Sequence, residues 1–245
     1  MPYIYDSTSV DVHSFSVHSC GFGLVLHNTS STHITKVITM HNYLEGIVLD
    51  TTTDTHINNS VAAHNAGDGI YLSTSNTTNM MNMITSHNGW NGMYLHKMKN
   101  THITNTATSH NGASGMYSNN LSNINITHRL HYTIKNGIQS CNMINTHITN
   151  LTASFSDHRG LELSNMSNTH ITNMATTHNN KHGMDFSTMR NTYITNAVTA
   201  HNGLFGIYLS KMNNTHITKV TAKHNEKAND YLYGTEHSHL CSSFC

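Results

Sequence analysis

Charged residues are scarce in this chain, since Asp, Glu, Lys and Arg make up only 10% of its 245 residues. The 12 basic residues are scattered and balance the 12 acidic ones, so the basic groove that nucleic acids require is not expected. Uninterrupted apolar stretches stay below the roughly 18 residues of a membrane-spanning helix. Residues 1–10 lack the charged and apolar regions of a signal peptide. We therefore expect neither a nucleic-acid partner nor a membrane partner.

Cysteine is also rare. The chain has four, at Cys20, Cys141, Cys241 and Cys245, which are few for a disulfide scaffold and show no CxxC metal spacing. Its polarity comes instead from Asn, Thr, Ser and 23 histidines, at a net charge of zero. A neutral chain of this kind does not show the high net charge of a disordered protein.

A repeat of 23 residues runs along the chain, with the frame N-T-H-I-T-N-x-x-x-x-H-N-x-x-x-G-I-Y-L-S. The position of the first histidine recurs every 23 residues, apart from one step of 22 after Asn125, at His33, His56, Asn79, His102, Asn125, His147, His170, Tyr193 and His216. A glycine lies 13 residues after most of these anchors. A fixed period of this length predicts a solenoid, here of about ten coils.

Each coil is broken every few residues by Asn, Gly or Ser and is rich in Thr, Ile, Val and Tyr, which predicts three short strands. The first strand is THIT, the second precedes the HN pair, and the third is GIYL. Alternation predicts inward isoleucines such as Ile34 in the first strand and inward Ile47, Ile70 and Met93 in the third. In the second strand it predicts that the following side chains point inward: Ile38, Val61, Ile84, Ala107, Ala175 and Val198. The fold class is therefore all-β, a parallel β-helix.

Asparagine is predicted at three corners of every coil, because it tolerates left-handed backbone and its amide bonds to the amides of neighbouring coils. The three columns begin at Asn59, at Asn42 and at Asn100.

The pattern N-x-I-x-N followed by N-x-x-x-G-I-x-L-x-x-S resembles the repeats of pectin-lyase-like proteins, which recur in carbohydrate-binding and sugar-hydrolase proteins and in a periplasmic protein of copper-enzyme maturation. The resemblance implies a single-stranded, right-handed β-helix. It leaves function open, since that superfamily holds lyases, hydrolases, epimerases, tailspikes and adhesins. We expect one domain over residues 1–245, with a repeat core over about 10–229 and an irregular tail at 230–245.

Histidine recurs at two outward positions. The first column is His33, His56, His102, His147, His170 and His216. The second includes His41, His64, His87, His110, His178, His201 and His224. Stacked imidazoles could hold zinc or copper between coils, or could simply form a surface ladder copied by repeat duplication. Threonines flank both columns and are expected to point outward, among them Thr35, Thr104, Thr39, Thr85, Thr108, Thr176 and Thr199.

A departure from the repeat at Asp157, His158 and Arg159, followed by Glu162, is the best candidate for catalysis. A second irregular coil at residues 128–132 is expected one rung below, so that the two could form a polar cleft. Residues of these types serve polysaccharide lyases and epimerases of the resembling fold, but the calcium triad of pectate lyases and the DPHD-like epimerase motif are absent. The alternative is a repeat defect with a satisfied Asp–Arg pair.

Tyr71, Tyr94, Tyr117 and Tyr208, with Trp90 nearby, predict an aromatic stripe on the third strand, suited to sugars or proteins or merely covering the sheet.

The regular columns and the lack of end caps favour a non-enzymatic structural protein with histidine-lined faces, which assembles with itself end to end into filaments. The alternative is a β-helix that binds or modifies polysaccharide. A third hypothesis is a metal-binding or ice-binding surface, although paired outward threonines typical of ice binding are missing. We expect an extracellular location or one on a particle or cell surface.

Overall fold

A computed structural model describes residues 2–133, 135–233 and 239–244. All regular structure in this part of the chain is β-strand. The strands of the first coils are β1 (Tyr3–Thr8), β2 (Asp11–His13), β3 (Ser16–His18), β4 (Leu24–Thr35), β5 (Ile38–Met40), β6 (Ile47–Asp50), β7 (Thr53–Asn58), β8 (Val61–Ala63), β9 (Ile70–Ser73), β10 (Asn76–Met81), β11 (Ile84–Ser86) and β12 (Met93–His96). They continue as β13 (Lys99–Asn111), β14 (Met116–Thr133), β15 (Ile138–Ser156), β16 (Leu161–Thr177), β17 (Met184–Ala200), β18 (Phe205–Ser210), β19 (Asn213–Lys223), β20 (Ala228–Tyr233) and β21 (His239–Phe244).

The strands form a right-handed parallel β-helix of about nine turns, which confirms the predicted fold class at close to the predicted ten coils. Every strand pairs in parallel with its equivalent one coil away, so that Ile34 lies beside Ile57 and Ile57 beside Met80. The described residues include no helix that is long and apolar enough to span a membrane.

The core is a set of apolar columns inside the helix. In the first strand the inward isoleucines are buried as predicted, from Ile34 to Ile217. In the third strand Ile47, Ile70 and Met93 are buried as well. Because each column repeats in register, like side chains pack on like, and this arrangement gives the solenoid one continuous interior.

The second strand is turned the other way from the prediction. Ile84 is 48% exposed and Ile38 and Val198 are also exposed, whereas their neighbours Met83 and Thr85 are buried. The cause is the residue between the first two strands, which is left-handed at each coil, as at Asn82 with φ 54°. A left-handed residue does not continue the two-residue alternation, so the inward phase restarts one residue later.

The threonines beside the second histidine column are consequently interior residues. Thr39, Thr85, Thr108, Thr176 and Thr199 are buried, against the expectation that they point outward. Thr35 and Thr104 of the first strand are partly exposed. The described second strands therefore lack the outward surface of aligned threonines that would favour ice binding.

Four left-handed corners recur in each regular coil. In the coil around His102 they are Lys97, Asn100, Asn105 and His110, with φ between 47° and 52°. The columns of Asn59 and Asn100 are corners as predicted. The column of Asn42 is not, because the left-handed residue there is the preceding histidine, His41 at φ 54°.

The asparagines of that column form a buried ladder instead. Asn42, Asn65 and Asn88 bond in sequence through Nδ2 to Oδ1 at 2.8 Å and 3.0 Å. Each Oδ1 also accepts the backbone N–H of the preceding asparagine in the ladder, at 3.2 Å for Asn42 and 3.1 Å for Asn65. The ladder thus ties adjacent coils together inside the molecule.

One coil is a residue short, and the pairing between β13 and β14 shifts between Ile103 and Thr106. Further along, β21 pairs with β19, so that His239 lies beside His216. The parallel pairing thus continues into the segment 230–245 that was expected to be an irregular tail.

Candidate functional site

The outward positions of the third strand form one chemically distinctive face, which we call the third face. Parallel register places Tyr71, Tyr94 and Tyr117 in line on it. Their rings stack with centroids 5.0 Å and 5.3 Å apart and with planes within 15° of parallel. The middle ring, Tyr94, has both faces covered, and only its edge and hydroxyl are open to a ligand.

A groove of about 420 Å³ lies along this part of the third face. Its walls are Glu45, Asp68, Tyr71, Trp90, Asn91, Tyr94, Ala113, Ser114, Tyr117, Lys135 and Gln139. Trp90 is 65% exposed, so it offers the open aromatic face that the stacked tyrosines lack. Burial raises the pKa of Tyr94 and of Tyr117, so both hydroxyls keep their protons. The Tyr117 hydroxyl is hydrogen-bonded to Cys141.

Asp68 is the most buried acid of the groove, at 4% exposure. Its Oδ1 accepts the backbone N–H of Asn91 at 2.7 Å and the side-chain N–H at 3.0 Å. Burial raises the pKa of Asp68 to about 6, Glu45 adds to the rise, and the two bonds from Asn91 oppose it. Asp68 therefore exchanges its proton close to neutral pH.

The outward column of the tyrosines continues through Gln139, Glu162 and Asp185 to Tyr208. Arg159 lies over this stretch, with Nε 2.6 Å from an Asp185 oxygen and a terminal nitrogen 3.6 Å from Glu162. Asn136 donates a hydrogen bond to the same Glu162 oxygen at 2.7 Å. The guanidinium is thus already neutralised by two carboxylates.

The predicted catalytic residues are only partly brought together. Arg159 and Glu162 meet, but Arg159 pairs with Asp185 rather than with Asp157. Asp157 accepts a long bond from Asn180 at 3.4 Å. Burial lowers the pKa of His158, and nearby lysines and Arg159 lower it further. The side chains of residues 128–132 lie outside the described part of the structure, so the predicted contact with that coil stays a prediction.

His182 is a neighbour of this cluster that the sequence reading missed. It is buried, and its ring lies 5.4 Å from Phe205 and 5.2 Å from Tyr208. Burial lowers its pKa, while Asp185 acts in the opposite direction. The signal that would have found it is register, because His182 precedes its glycine as Asp68 precedes Gly69.

The first histidine column forms stacks that are interrupted by other residues. His33 stacks on His56, and His147 on His170, at 5.0 Å in both pairs. Asn79 bonds to His56 at 3.1 Å and Asn125 to His102 at 3.1 Å, which fills the gaps between stacks. Tyr193 continues the upper stack between His170 and His216.

The second column lies at the left-handed corners and is exposed. Its rings are nearly parallel at 4.7–5.2 Å in the stacks His41–His64–His87–His110 and His178–His201–His224. Phe155 replaces histidine below His178. Burial lowers the pKa of His87, and the neighbouring histidines lower it further.

Stacked parallel rings are a poor fit to zinc or copper. A metal holds each imidazole nitrogen at about 2.0–2.1 Å, so the nitrogens must converge on one point rather than lie side by side. Within the described residues no group of three or more His, Cys, Asp or Glu side chains is placed to hold a metal ion. Metal binding by these columns stays a prediction that requires the rings to turn out of their stacks.

Comparison with known proteins gives a family and a shared fold. Residues 1–128 match the family described as periplasmic copper-binding protein (NosD). The A-module of mannuronan C-5 epimerase AlgE6 from Azotobacter vinelandii aligns with a TM-score of 0.63 and 14% identity, over 97% of this chain and 73% of the module. The periplasmic alginate epimerase AlgG, as a double mutant, aligns with a TM-score of 0.73 and 11% identity, over 99% of this chain and 70% of that one. No curated protein sequence matches the chain.

The expectation of a non-enzymatic, self-assembling structural protein is wrong. The matching family is described as a binding protein, and the two similar folds belong to enzymes named for mannuronan and alginate. These findings are compatible with the alternative, a β-helix that binds or modifies polysaccharide, and they give no support to filament formation. At identities of 11–14% the structural likeness establishes the fold and leaves the ligand to the residues of the third face.

Proposed function

We propose that this chain, which belongs to the NosD family, binds polysaccharide along its third face. The observation that carries the proposal is the in-line arrangement of Tyr71, Tyr94 and Tyr117 beside exposed Trp90 in one open groove. Hydroxyls on adjacent coils lie about one rung apart, roughly 4.8 Å, and can donate to successive sugars of one chain.

The groove suits the interior of a polysaccharide chain rather than the end of one. It is an open trough across several coils, so a polymer can enter and leave along the helix axis. Aromatic faces bind the apolar faces of sugar rings, and Trp90 is the residue placed for that contact. The tyrosines supply hydroxyls and ring edges, because their faces are taken up by each other.

A location outside the cytoplasm, periplasmic or extracellular, goes with this function. The matching family and the epimerase AlgG are both described as periplasmic, which supports the proposal for this chain. Exposure on a particle or cell surface would be a narrower form of the same location.

Modification of the bound polysaccharide is a second candidate, favoured by the cluster around Arg159. His182 is held uncharged by burial close to Asp185, and an uncharged imidazole can accept a proton. Asp157, His158, Arg159 and Glu162 are the candidate catalytic residues predicted from the sequence. If the chain modifies polysaccharide there, Asp157→Ala and His182→Ala should each abolish product formation, and unchanged turnover in both would discard the site.

Affinity electrophoresis through gels containing single polysaccharides tests the binding proposal. We expect retardation by at least one polysaccharide, with a loss of at least tenfold in affinity for Trp90→Ala and for Tyr94→Phe. Tyr193→Ala is the matched control, because Tyr193 is 44% exposed but lies in the first histidine column, beside His170, and not on the third face. Equal weakening by the control, or no retardation in any gel, would refute the proposal.

A further inference from the structure

We infer that the third-face groove selects uncharged polysaccharides over carboxylated ones. The inference rests on the proposed function and names its ligand class. Four carboxylates, Glu45, Asp68, Glu162 and Asp185, lie in or along the groove, against two cations, Lys135 and Arg159. In the loops beside it Asp157 and Lys181 offset each other, and the face is therefore acidic above neutral pH.

Arg159 is the cation that an anionic sugar would be expected to engage, and it is already occupied. Its Nε lies 2.6 Å from Asp185 and a terminal nitrogen lies 3.6 Å from Glu162. A sugar carboxylate that approached the guanidinium would therefore also come close to the carboxylates of Asp185 and Glu162. Among the residues that line the groove, Lys135 is the one that carries a positive charge, and it is exposed.

The aromatic end of the groove is the least tolerant of a negative charge. Asp68 is 4% exposed and its Oδ1 is held by Asn91, so the carboxylate can neither turn away nor be solvated freely. Glu45 lines the same groove. A sugar bound on Trp90 and Tyr94 would place its own carboxylate next to these two, and like charges at low exposure repel strongly. A neutral sugar brings no charge beside these carboxylates and can use their oxygens as hydrogen-bond acceptors.

The chain itself offers substitutions that remove these charges. Asn91 occupies the position of Asp68 in the next coil, so Asp68→Asn inserts a residue that the fold already accepts at that register. Its Oδ1 can still accept both bonds from Asn91. Asp54→Asn is the matched control, since Asp54 is exposed at a corner where later coils carry asparagine, such as Asn100 and Asn123.

The test compares hydroxyethyl cellulose with carboxymethyl cellulose, and methyl-esterified with free polygalacturonate, by affinity electrophoresis at pH 8 in low salt. In any pair of polysaccharides of which the protein binds at least one member, we expect the uncharged member to bind at least tenfold more tightly. We expect 0.5 M salt to reduce this difference in affinity, because salt screens the repulsion between carboxylates. The double variant Glu45→Gln, Asp68→Asn should improve binding of the carboxylated member, and Asp54→Asn should not.

Tighter or equal binding of the carboxylated member by the unaltered protein would overturn the inference while leaving the polysaccharide-binding proposal intact. An unchanged preference in the double variant would also overturn it, because the selecting charges would then lie elsewhere. If no polysaccharide of any charge binds, the proposed function fails first and the inference fails with it.

Discussion

Removing one amide from the buried asparagine ladder should destabilise the protein more than any surface change of the same size. The Asn88 side chain accepts from the Asn65 backbone N–H at 3.1 Å and from its side-chain N–H at 3.0 Å. It donates to the Ala62 carbonyl at 3.0 Å and to Asn111 Oδ1 at 3.0 Å. Asn88→Ala deletes all four bonds at a site that is 2% exposed.

The expected cost follows from what each partner loses. The Asn65 backbone N–H is left buried without an acceptor, which costs about 1–3 kcal/mol, and the other three bonds contribute about 1 kcal/mol each. Asn88→Ala should therefore lower the free energy of unfolding by about 5 kcal/mol. Urea unfolding followed by far-ultraviolet circular dichroism measures this difference.

Asn173→Gly is the matched control. Asn173 belongs to an exposed ladder, with bonds of 3.0 Å to Asn150 and 2.6 Å from Asn196, and glycine preserves its left-handed backbone. Exposed groups recover their hydrogen bonds from water, so the loss should stay below about 1 kcal/mol. If Asn88→Ala costs no more than Asn173→Gly, the buried ladder does not stabilise the fold in the way argued.

Three further predictions concern the same coils. A Cβ at Gly92 would lie 2.5 Å from Thr85 Oγ1 and 2.6 Å from the Gly115 carbonyl oxygen, so Gly92→Ala should cost about 3 kcal/mol in urea unfolding; a neutral effect would show that the backbone can yield. The pKa of Asp68 is about 6 in the fold against 3.8 ordinarily, so its carboxyl favours folding at low pH and opposes it above pH 6. Asp68→Asn should therefore stabilise the protein at pH 8 by up to about 3 kcal/mol but not at pH 4. Equal effects at both pH values would contradict the raised pKa. The pKa of His87 is lowered, so its contribution to stability is present above pH 6.5 and is lost as the pH falls. His87→Asn should therefore reduce the fall in melting temperature between pH 7 and pH 5. An unchanged fall would exclude the stacked His87 ring as the source of that pH dependence.

The 23-residue repeat was sufficient to predict the fold, because the strands, the corners and the buried columns all recur with the same period. The isoleucines of the first strand and the residues of the third strand keep strict alternation, and Ile34 and Ile47 are buried as predicted. The second strand was mispredicted because alternation was carried across a corner. The column of Asn59 was predicted as left-handed corners, but the effect of such a corner on the alternation was not applied. Lys36, at φ 55°, stands at the same register and resets the phase between Ile34 and Val37.

The site was predictable only where it follows the repeat. The tyrosine column and Glu162 lie at one register, and the structure keeps them on one face. The pairing of Arg159 with Asp185 was not foreseen, because it depends on how far a long side chain reaches across to the next coil. The groove acid Asp68 was missed because its significance comes from burial and from Asn91, which spacing alone does not reveal.

Around the coil that is one residue short, two of the three asparagine columns, those of Asn59 and Asn42, carry other residues in place of asparagine. The exposed ladder of the Asn59 column links Asn82 to Asn105 and, further along, Asn150 to Asn173, with His128 at the register between them. In the buried ladder, hydroxyls take over, and Thr133 bonds to Ser156 at 3.3 Å. The Asn100 column alone of the three continues its amide bonds here, from Asn123 to Asn100 and from Asn145 to Asn123, so this part of the solenoid is held by fewer side-chain ladders than the coils on either side. Stretched from its ends in a force microscope, the solenoid should yield first between residues 112 and 156, and rupture elsewhere would show that strand pairing alone sets its strength.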